Sequence, residues 1–495
     1  MKFTSTRAEK QFESAQTITR GISEEGGLFV PASFPSLSKE LLSKMVDMDY
    51  KQRAIEVLRL YLTDFTEEEL KHCVEGAYEG KFDDNNPAPL AMINNSASML
   101  ELWHGPTCAF KDMALQLLPY LLTTSAKKVA DGKTMVILVA TSGDTGKAAL
   151  DGFADVENTK ILVFYPVDGV SPMQKLQMTT QTGSNVAVCA IEGNFDDAQT
   201  GVKKIFTNDD MRNLLKENNM EFSSANSINF GRLVPQIVYY VSAYCDLVKS
   251  GRLSDGDKFN VVVPTGNFGN IIAAYDANQM GIPIGNFIRA SNKNNILTDF
   301  INTGVYDRNR DFFTTTSPSM DILISSNLER LLFELYNRDD KKVSQLMAEL
   351  SENGKYEIEE DVLAKLKSQF VGGCCDDTET AATIKHMFND YNYLCDTHTA
   401  VAVKVYEDYV KNTGDTTQTV IVSTASPYKF AKSVLTAVDT TEDTDSEFDM
   451  VEKLSEVTGT AIPAPLAGLK SREVLHKDCI EKTQMSEFIK NTLGM

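Results

Sequence analysis

The chain has little that would carry it across a membrane, cross-link it or hold a metal. It contains no run of about 18 apolar residues, the length a helix needs to span a bilayer. Its opening, MKFTSTRAEKQFESAQ, mixes charges and has no apolar stretch of the kind a secretory leader carries. The eight cysteines (Cys73, Cys108, Cys189, Cys245, Cys374, Cys375, Cys395 and Cys479) form no C-x-x-C pair and no zinc-type spacing. That pattern fits reduced thiols and a cytoplasmic protein. The adjacent Cys374 and Cys375 read as small residues beside a Gly-Gly turn rather than as a redox pair. The five histidines are scattered and give no metal site. Positive charge is in deficit, with 48 Lys and Arg against 69 Asp and Glu and a formal charge of -21. Such a surface repels nucleic acid and anionic membranes, so a phosphate ligand needs a locally positive or amide-lined site. With 15 Pro and 29 Gly among 495 residues, 42% apolar content and no solenoid repeat, the composition is that of two or three packed globular units.

What the chain does have is an alternation of short apolar runs with helical patterns. The segments KTMVILVA, KILVFYP, NVAVCAI, FNVVVPT and QTVIVST read as strands apolar on both faces, hence as a parallel sheet covered by helices. Residues 1–100 read as a mostly helical N-terminal region, as in YKQRAIEVLRLYLTDF. Residues 101–320 read as α/β lobes, a smaller one at about 133–245 nested within a larger. Between 321 and 390 the strand signal vanishes and SNLERLLFELYNRDDKKVSQLMAEL and EEDVLAKLKSQF predict a helical insertion. Residues 391–495 return to the large α/β domain and end in a tail, with the acidic string at 439–449 as a solvated loop.

Three of the strands run straight into a polar turn and then a helix. The first, ILVATSGDTGKAAL at 137–150, nearly spells a nucleotide-binding P-loop, but that loop requires Gly where Thr141 stands and Ser or Thr where Ala148 stands. The others are TGNFGN and TASPYK. Such turns gather at the carboxyl ends of parallel strands, which predicts one shared site. In TGNFGN, Gly266 and Gly269 let backbone amides face an anion ahead of a helix start. A phosphate suits that loop, although glycine-rich turns of this kind are common in α/β proteins. In HGPTCAFKD, Lys111 follows a Gly-Pro turn and opens an apolar helix, where a helix end and partial burial disfavour the charged amine. The alternative is a lysine paired with Asp112 on a solvated face. An activated amine, a phosphate cradle and hydroxyl-rich turns together are the requirements of pyridoxal phosphate chemistry.

EEGGLFVP, HGPTCAFKD, SGDTG, SINFGRLVPQ, GNFGN and SPSMDILISSNLERLL, in that company and order, resemble the signatures of the threonine synthase family, from the first 30 residues to about residue 430. The form with a helical insertion is similar to the fungal and bacterial class. The resemblance implies an α/β, fold type II (tryptophan synthase β-like) architecture, two lobes closing on pyridoxal 5'-phosphate. It makes Lys111 the Schiff-base lysine, gives the cofactor phosphate to Gly266, Asn267, Phe268, Gly269 and Asn270, and sets Thr424 against the pyridine nitrogen. It assigns the substrate carboxylate to Ser142, Thr145 and nearby amides, with Asp144 taking part only if protonated or turned away. It assigns the substrate phosphate to Asn226, Ser227, Asn229 and Arg232, a segment that also reads as a helix cap followed by a structural arginine. His398, in LCDTHTAVAV, stays outside the catalytic set. The implied reaction is O-phospho-L-homoserine plus water giving L-threonine and phosphate by γ-elimination and β-addition of water, carried out by a monomer or homodimer without metal. The rivals are a phospholyase releasing 2-oxobutyrate and ammonia, and a cofactor-binding protein without turnover.

Overall fold

A computed structural model describes residues 1–141, 143–168, 170–439 and 446–495. The N-terminal region is not purely helical. Strands β1 (Phe3–Ser5), β2 (Ala8–Phe12) and β3 (Phe29–Pro31) make a small antiparallel sheet in the order β2-β1-β3, and the helices Tyr50–Tyr61 and Glu67–Tyr78 follow. Strands β4 (Leu90–Met92) and β5 (Ala97–Glu101) then enter the main sheet, so its first parallel strand precedes the expected boundary near residue 101. Five residues of ordinary composition, ASMLE, pair with a strand beginning at Thr419, and local periodicity cannot report a partner so distant in sequence.

The smaller lobe is a five-stranded parallel sheet whose first four strands are β6 (Thr134–Ala140), β7 (Thr159–Pro166), β8 (Val186–Glu192) and β9 (Met220–Ser223). The long helix Phe230–Lys249, buried along nearly its whole length, carries the chain back to the larger lobe. There β10 (Phe259–Pro264) and β11 (Ile284–Ser291) lie side by side, and β12 (Val305–Asp307) pairs with β13 (Lys355–Glu357) as a separate two-stranded ribbon. Next come β14 (Phe370–Cys374) and β15 (Thr419–Ser423), which complete the main sheet in the order β14-β11-β10-β15-β5-β4. The final strand, β16 (Asp478–Glu481), returns to the smaller lobe and pairs in parallel with β8, giving β16-β8-β7-β6-β9.

Side chains alternate across these strands with period two. Ile137 and Val139 of β6 join a core shared by both lobes and the N-terminal region, whereas Val136 and Leu138 face the core closed by the C-terminal helix Met485–Leu493. A third core covers the other face of the main sheet, around Val262, Ile288 and Ile421. No described helix is long and apolar enough to cross a membrane.

The span from 321 to 390 corrects the expectation of a helical insertion. Its helices Leu328–Leu335, Asp340–Asn353, Glu360–Lys367 and Asp377–Tyr391 are present, but FVGGC forms β14 at the edge of the main sheet, paired with β11 from Phe287↔Phe370 to Ser291↔Cys374. The Gly-Gly pair is therefore strand, not turn. Glycine weakens the strand pattern in sequence, yet here it serves packing. A Cβ on Gly373 would lie 2.5 Å from Val405 Cγ1, and one on Gly372 3.1 Å from Thr298 Cα. Of the acidic string, residues 440–445 lie outside the described residues, and its end, from Glu447, opens the helix Glu447–Thr458.

Candidate active site

Four strand ends, not three, converge. The turns after β10 and β15 leave neighbouring strands of the main sheet, the turn after β6 faces them from the smaller lobe, and β5, next to β15, supplies the segment that carries Lys111. That segment is laced to the β15 turn. Leu102 N–H donates to Ser423 O (3.0 Å), Phe110 N–H to Thr424 O (2.8 Å) and Ser426 N–H to Cys108 O (3.0 Å), with a bridge between Ala109 and Ala425. Cys108 adopts a left-handed φ of 58° to make the bend. Lys111 and the buried Thr424 are thereby fixed to each other through backbone.

Lys111 opens a helix of only five residues, Lys111–Leu115, too short for a large end dipole; the chain then reforms as Leu118–Val129. What depresses the amine is burial first, then the neighbouring charges of Lys429 and Arg232, against the opposing pull of Asp144. Lys111 Nζ lies 3.6 Å from Asp144 Oδ2. The other oxygen of Asp144 receives Lys429 Nζ at 2.8 Å and Gln174 Nε2 at 3.0 Å. Burial alone would raise the Asp144 carboxyl, but Lys429 and Lys111 outweigh it and hold it ionised, far below the usual carboxylate range. The expected alternative partner, Asp112, points elsewhere: its oxygens accept Thr107 N–H (2.8 Å) and Thr107 Oγ–H (2.6 Å), and burial pushes it up to about 7 in spite of them.

In the turn after β10, Gly266 O accepts Ser325 Oγ–H (2.8 Å) and Asn267 O accepts both N–H (3.1 Å) and Nδ2–H (2.9 Å) of Asn327. Carbonyls tied down on one side leave the amides free on the other. Among the described residues, no amide from Gly266 to Asn270 is paired with a protein acceptor. Gly266 must be glycine, because a Cβ there would sit 2.4 Å from Ser319 O. Phe268 takes a left-handed φ of 64°, and its buried ring stacks on Phe370 at 6.0 Å, so only its backbone can meet a ligand. Asn270 accepts Tyr240 O–H while its Nδ2 is buried without a partner. Behind the loop, the fully buried Arg289 on β11 donates to Thr265 O at 2.7 Å and adds positive potential. The orphaned Asn270 Nδ2, the unpaired amides and the depressed Lys111 amine fit a phosphorylated aldehyde such as pyridoxal phosphate.

Ser142 lies outside the described residues. Thr145 is half-buried at the start of the helix Asp144–Phe153. The Thr141 hydroxyl accepts the amides of Gly143 and Gly146, both at 3.0 Å. The residue that departs from a P-loop thus locks this turn, and the amides of Asp144 and Thr145 remain for a ligand. Asp144 is turned away from that role onto its two lysines. Asn229 caps the helix Phe230–Lys249: its oxygen takes Gly231 N–H (2.9 Å) and its amide protons go to Ile18 O (3.0 Å) and Ser224 O (2.8 Å). It positions the helix and has no proton left for a ligand. Arg232, also buried, spends Nη1 on Ala225 O (2.9 Å) and keeps a buried Nε with no partner. Asn226 is exposed and Ser227 half-buried on the preceding turn. His398 accepts Ser319 N–H on Nε2 (3.1 Å) and turns Nδ1 to Asp396 (2.7 Å), which assigns its proton to Nδ1 and its task to holding the Ser319 segment beside Gly266.

Sequence reasoning missed Lys429, Gln174 and Arg289. Lys429 stood inside the TASPYK turn and could have been found from that position; Gln174 and Arg289 sit in segments with no motif. Among the described residues there is no cluster able to hold a metal, and all eight cysteines are free.

Residues 2–78 match the family described as threonine synthase N terminus, 99–425 that of pyridoxal-phosphate dependent enzymes, and 399–486 that of threonine synthase, C-terminal. Human threonine synthase-like 1 is 40% identical over 96% of the chain, and the chain spans 63% of that protein's length. Threonine synthase of Pseudomonas aeruginosa is 36% identical, covering 96% of this chain and 94% of its own. The crystal structure of pyridoxal-phosphate-bound threonine synthase from Brucella melitensis superposes with a TM-score of 0.89 at 35% identity, covering 99% of each chain.

Proposed function

The chain belongs to the threonine synthase family of pyridoxal-phosphate-dependent enzymes, and we propose that it converts O-phospho-L-homoserine and water to L-threonine and phosphate. The observation that carries this reading is Lys111: a largely buried amine 3.6 Å from the Asp144 carboxylate, lowered by burial and by the charges of Lys429 and Arg232, on a segment laced to a turn beside a loop of unpaired amides.

When bound, pyridoxal phosphate supplies an electron-withdrawing ring that acidifies the protons at Cα and Cβ of an amino acid. The amides of Gly266 to Asn270, with Asn270 Nδ2, would hold its phosphate, and the Thr424 hydroxyl would be the partner of its ring nitrogen. A hydroxyl there is a weaker partner than a carboxylate and would leave that nitrogen less protonated. Lys111 Nζ would hold that group through its aldehyde and would be the base placed to remove the Cα proton of a bound substrate and to return it. Ser142, Thr145 and the two unpaired amides beside them bind the substrate carboxylate. Arg232 directs its unpaired Nε to the substrate phosphate from the end of a helix that Asn229 caps, with Asn226 and Ser227 at the rim. Asp144 and Arg232 are buried and the Lys111 side chain is only 12% exposed, which would keep water from protonating the reacting carbons out of turn. The free cysteines are in keeping with a reducing, cytoplasmic setting.

The test is to incubate the purified protein with pyridoxal phosphate and O-phospho-L-homoserine and to identify the products by chromatography. Threonine and phosphate in equal amounts are expected, with borohydride trapping the cofactor on Lys111 and neither event in Lys111→Ala. Formation of 2-oxobutyrate and ammonia in place of threonine would overturn the proposal in favour of a phospholyase.

A further inference from the structure

The pocket around Lys111 holds more cations than it can neutralise. Lys111 and Lys429 share the single carboxylate of Asp144, at 3.6 Å and 2.8 Å, while the charge of Arg232, which has no carboxylate of its own among the described residues, also bears on Lys111. The lysine contacts are not equivalent. Lys429 Nζ sits at hydrogen-bonding distance from Asp144 Oδ1, donates a second bond to Thr107 O at 2.9 Å, and is the more deeply buried, its side chain 1% exposed against 12% for Lys111. Its backbone is held in a short helical turn, Pro427–Phe430, where Lys429 N–H donates to Ser426 O at 3.1 Å. Gln174 fills the remaining position on the same oxygen. Lys111 is left with the far oxygen, beyond hydrogen-bonding distance, and makes no other ion pair among the described residues.

We propose that Lys429 is a positioning residue that takes up the charge of Asp144 and so leaves the amine of Lys111 free to be neutral and nucleophilic. The charge count demands such a division. One carboxylate balances one ammonium, and the Arg232 guanidinium, though burial lowers it to about 10, keeps its proton at neutral pH. Coulombic attraction falls with distance, so the carboxylate stabilises the nearer lysine more and the outer one sheds its proton first. Other titratable groups facing the pair do not alter the balance. Asp112 and the Cys108 thiol feel Lys429 from the Lys111 segment, but burial pushes the thiol up to about 12, and Asp112, pushed up to about 7, turns both of its oxygens to Thr107 and pairs with neither amine. Lys147 is turned to Asp151. Burial lowers Lys111 in company with Lys429 and Arg232, as the division requires.

The inference rests on Lys111 being the amine that takes the aldehyde, and its test reads the amine without the cofactor. The full chain, freed of cofactor with hydroxylamine, is acylated with trace acetic anhydride between about pH 6 and about pH 11, spanning the range of a depressed to an ordinary lysine. Labelling of Lys111 is followed by peptide mass spectrometry against the exposed Lys39. In Lys429→Met the midpoint at Lys111 is expected to rise by about one pH unit, since a like charge is gone and Asp144 turns wholly to Lys111. Lys429→Arg keeps the charge and the native midpoint. Asp144→Asn lowers it, and the double variant falls between the two single ones. An unmoved or lowered midpoint in Lys429→Met overturns the proposal. Should that variant fail to fold, an unmoved midpoint in Asp144→Asn overturns it as well. Borohydride trapping in the loaded native protein is read separately: cofactor on another lysine refutes the role of Lys111, whatever the labelling curves show.

Discussion

At the scale of single residues, the site is governed by which polar groups have partners and which do not. Asp112 is an instructive neighbour of Lys111, because its two hydrogen bonds from Thr107 fail to compensate its burial. The fold binds its proton more tightly than the unfolded chain does. Its contribution to stability is therefore complete below the ordinary carboxyl range and is lost as pH rises through about 7. Asp112→Asn, which keeps one acceptor and lets the Thr107 hydroxyl turn to accept, is expected to gain in melting temperature over the native protein between about pH 5 and about pH 8. Parallel melting curves at the two pH values would remove that role. Lys111 was legible in the sequence because its surroundings are local: a Gly-Pro turn before it and an apolar run after it. Lys429 was not, because the meaning of a lysine depends on its counter-ion, and Asp144 lies on another lobe.

At the scale of elements, the buried parallel strands declared themselves as continuous apolar runs, and the turns after them as Gly- and Thr-rich segments. β14 and β5 did not. β14 has glycine where a strand pattern asks for branched side chains, and the reason lies in the helices Ile296–Thr303 and Thr397–Thr413 that close on its two faces. Gly373→Ala would bring a methyl against both branches of the buried Val405, at 2.5 and 3.2 Å, so no rotation of that side chain relieves it. A loss of about 1–3 kcal/mol is expected, the range for overpacked cores. The exposed Cys374→Ser, one residue on, should leave stability within about 0.5 kcal/mol of native. Denaturant unfolding of the two variants side by side checks the contrast, and an unaffected Gly373→Ala would show that the strand edge yields.

At the scale of the whole molecule, the C-terminal segment is the least foreseeable feature, since nothing in DCIE announces a strand and its partner β8 lies hundreds of residues earlier. It covers the edge of the smaller lobe's sheet, and Met485 and Ile489 seal the core around Phe164. A chain stopped after His476 should expose both the bare edge of β8 and that apolar face. Concentration-dependent association by light scattering is the expected result, and a monodisperse, native-like truncation would contradict it. The same feature limits how the lobes can move. Peptide chain passes between the smaller lobe and the rest of the protein before β6, after β9 and again ahead of β16, where Leu475 and His476 donate to Thr179 O at 2.9 and 3.0 Å. A body tethered at two points can swing about the line joining them; a third tether off that line resists the swing. Any opening that admits substrate must then turn about an axis lying close to all three tethers, or stretch the third, so the cleft works as a stiff jaw with a short travel.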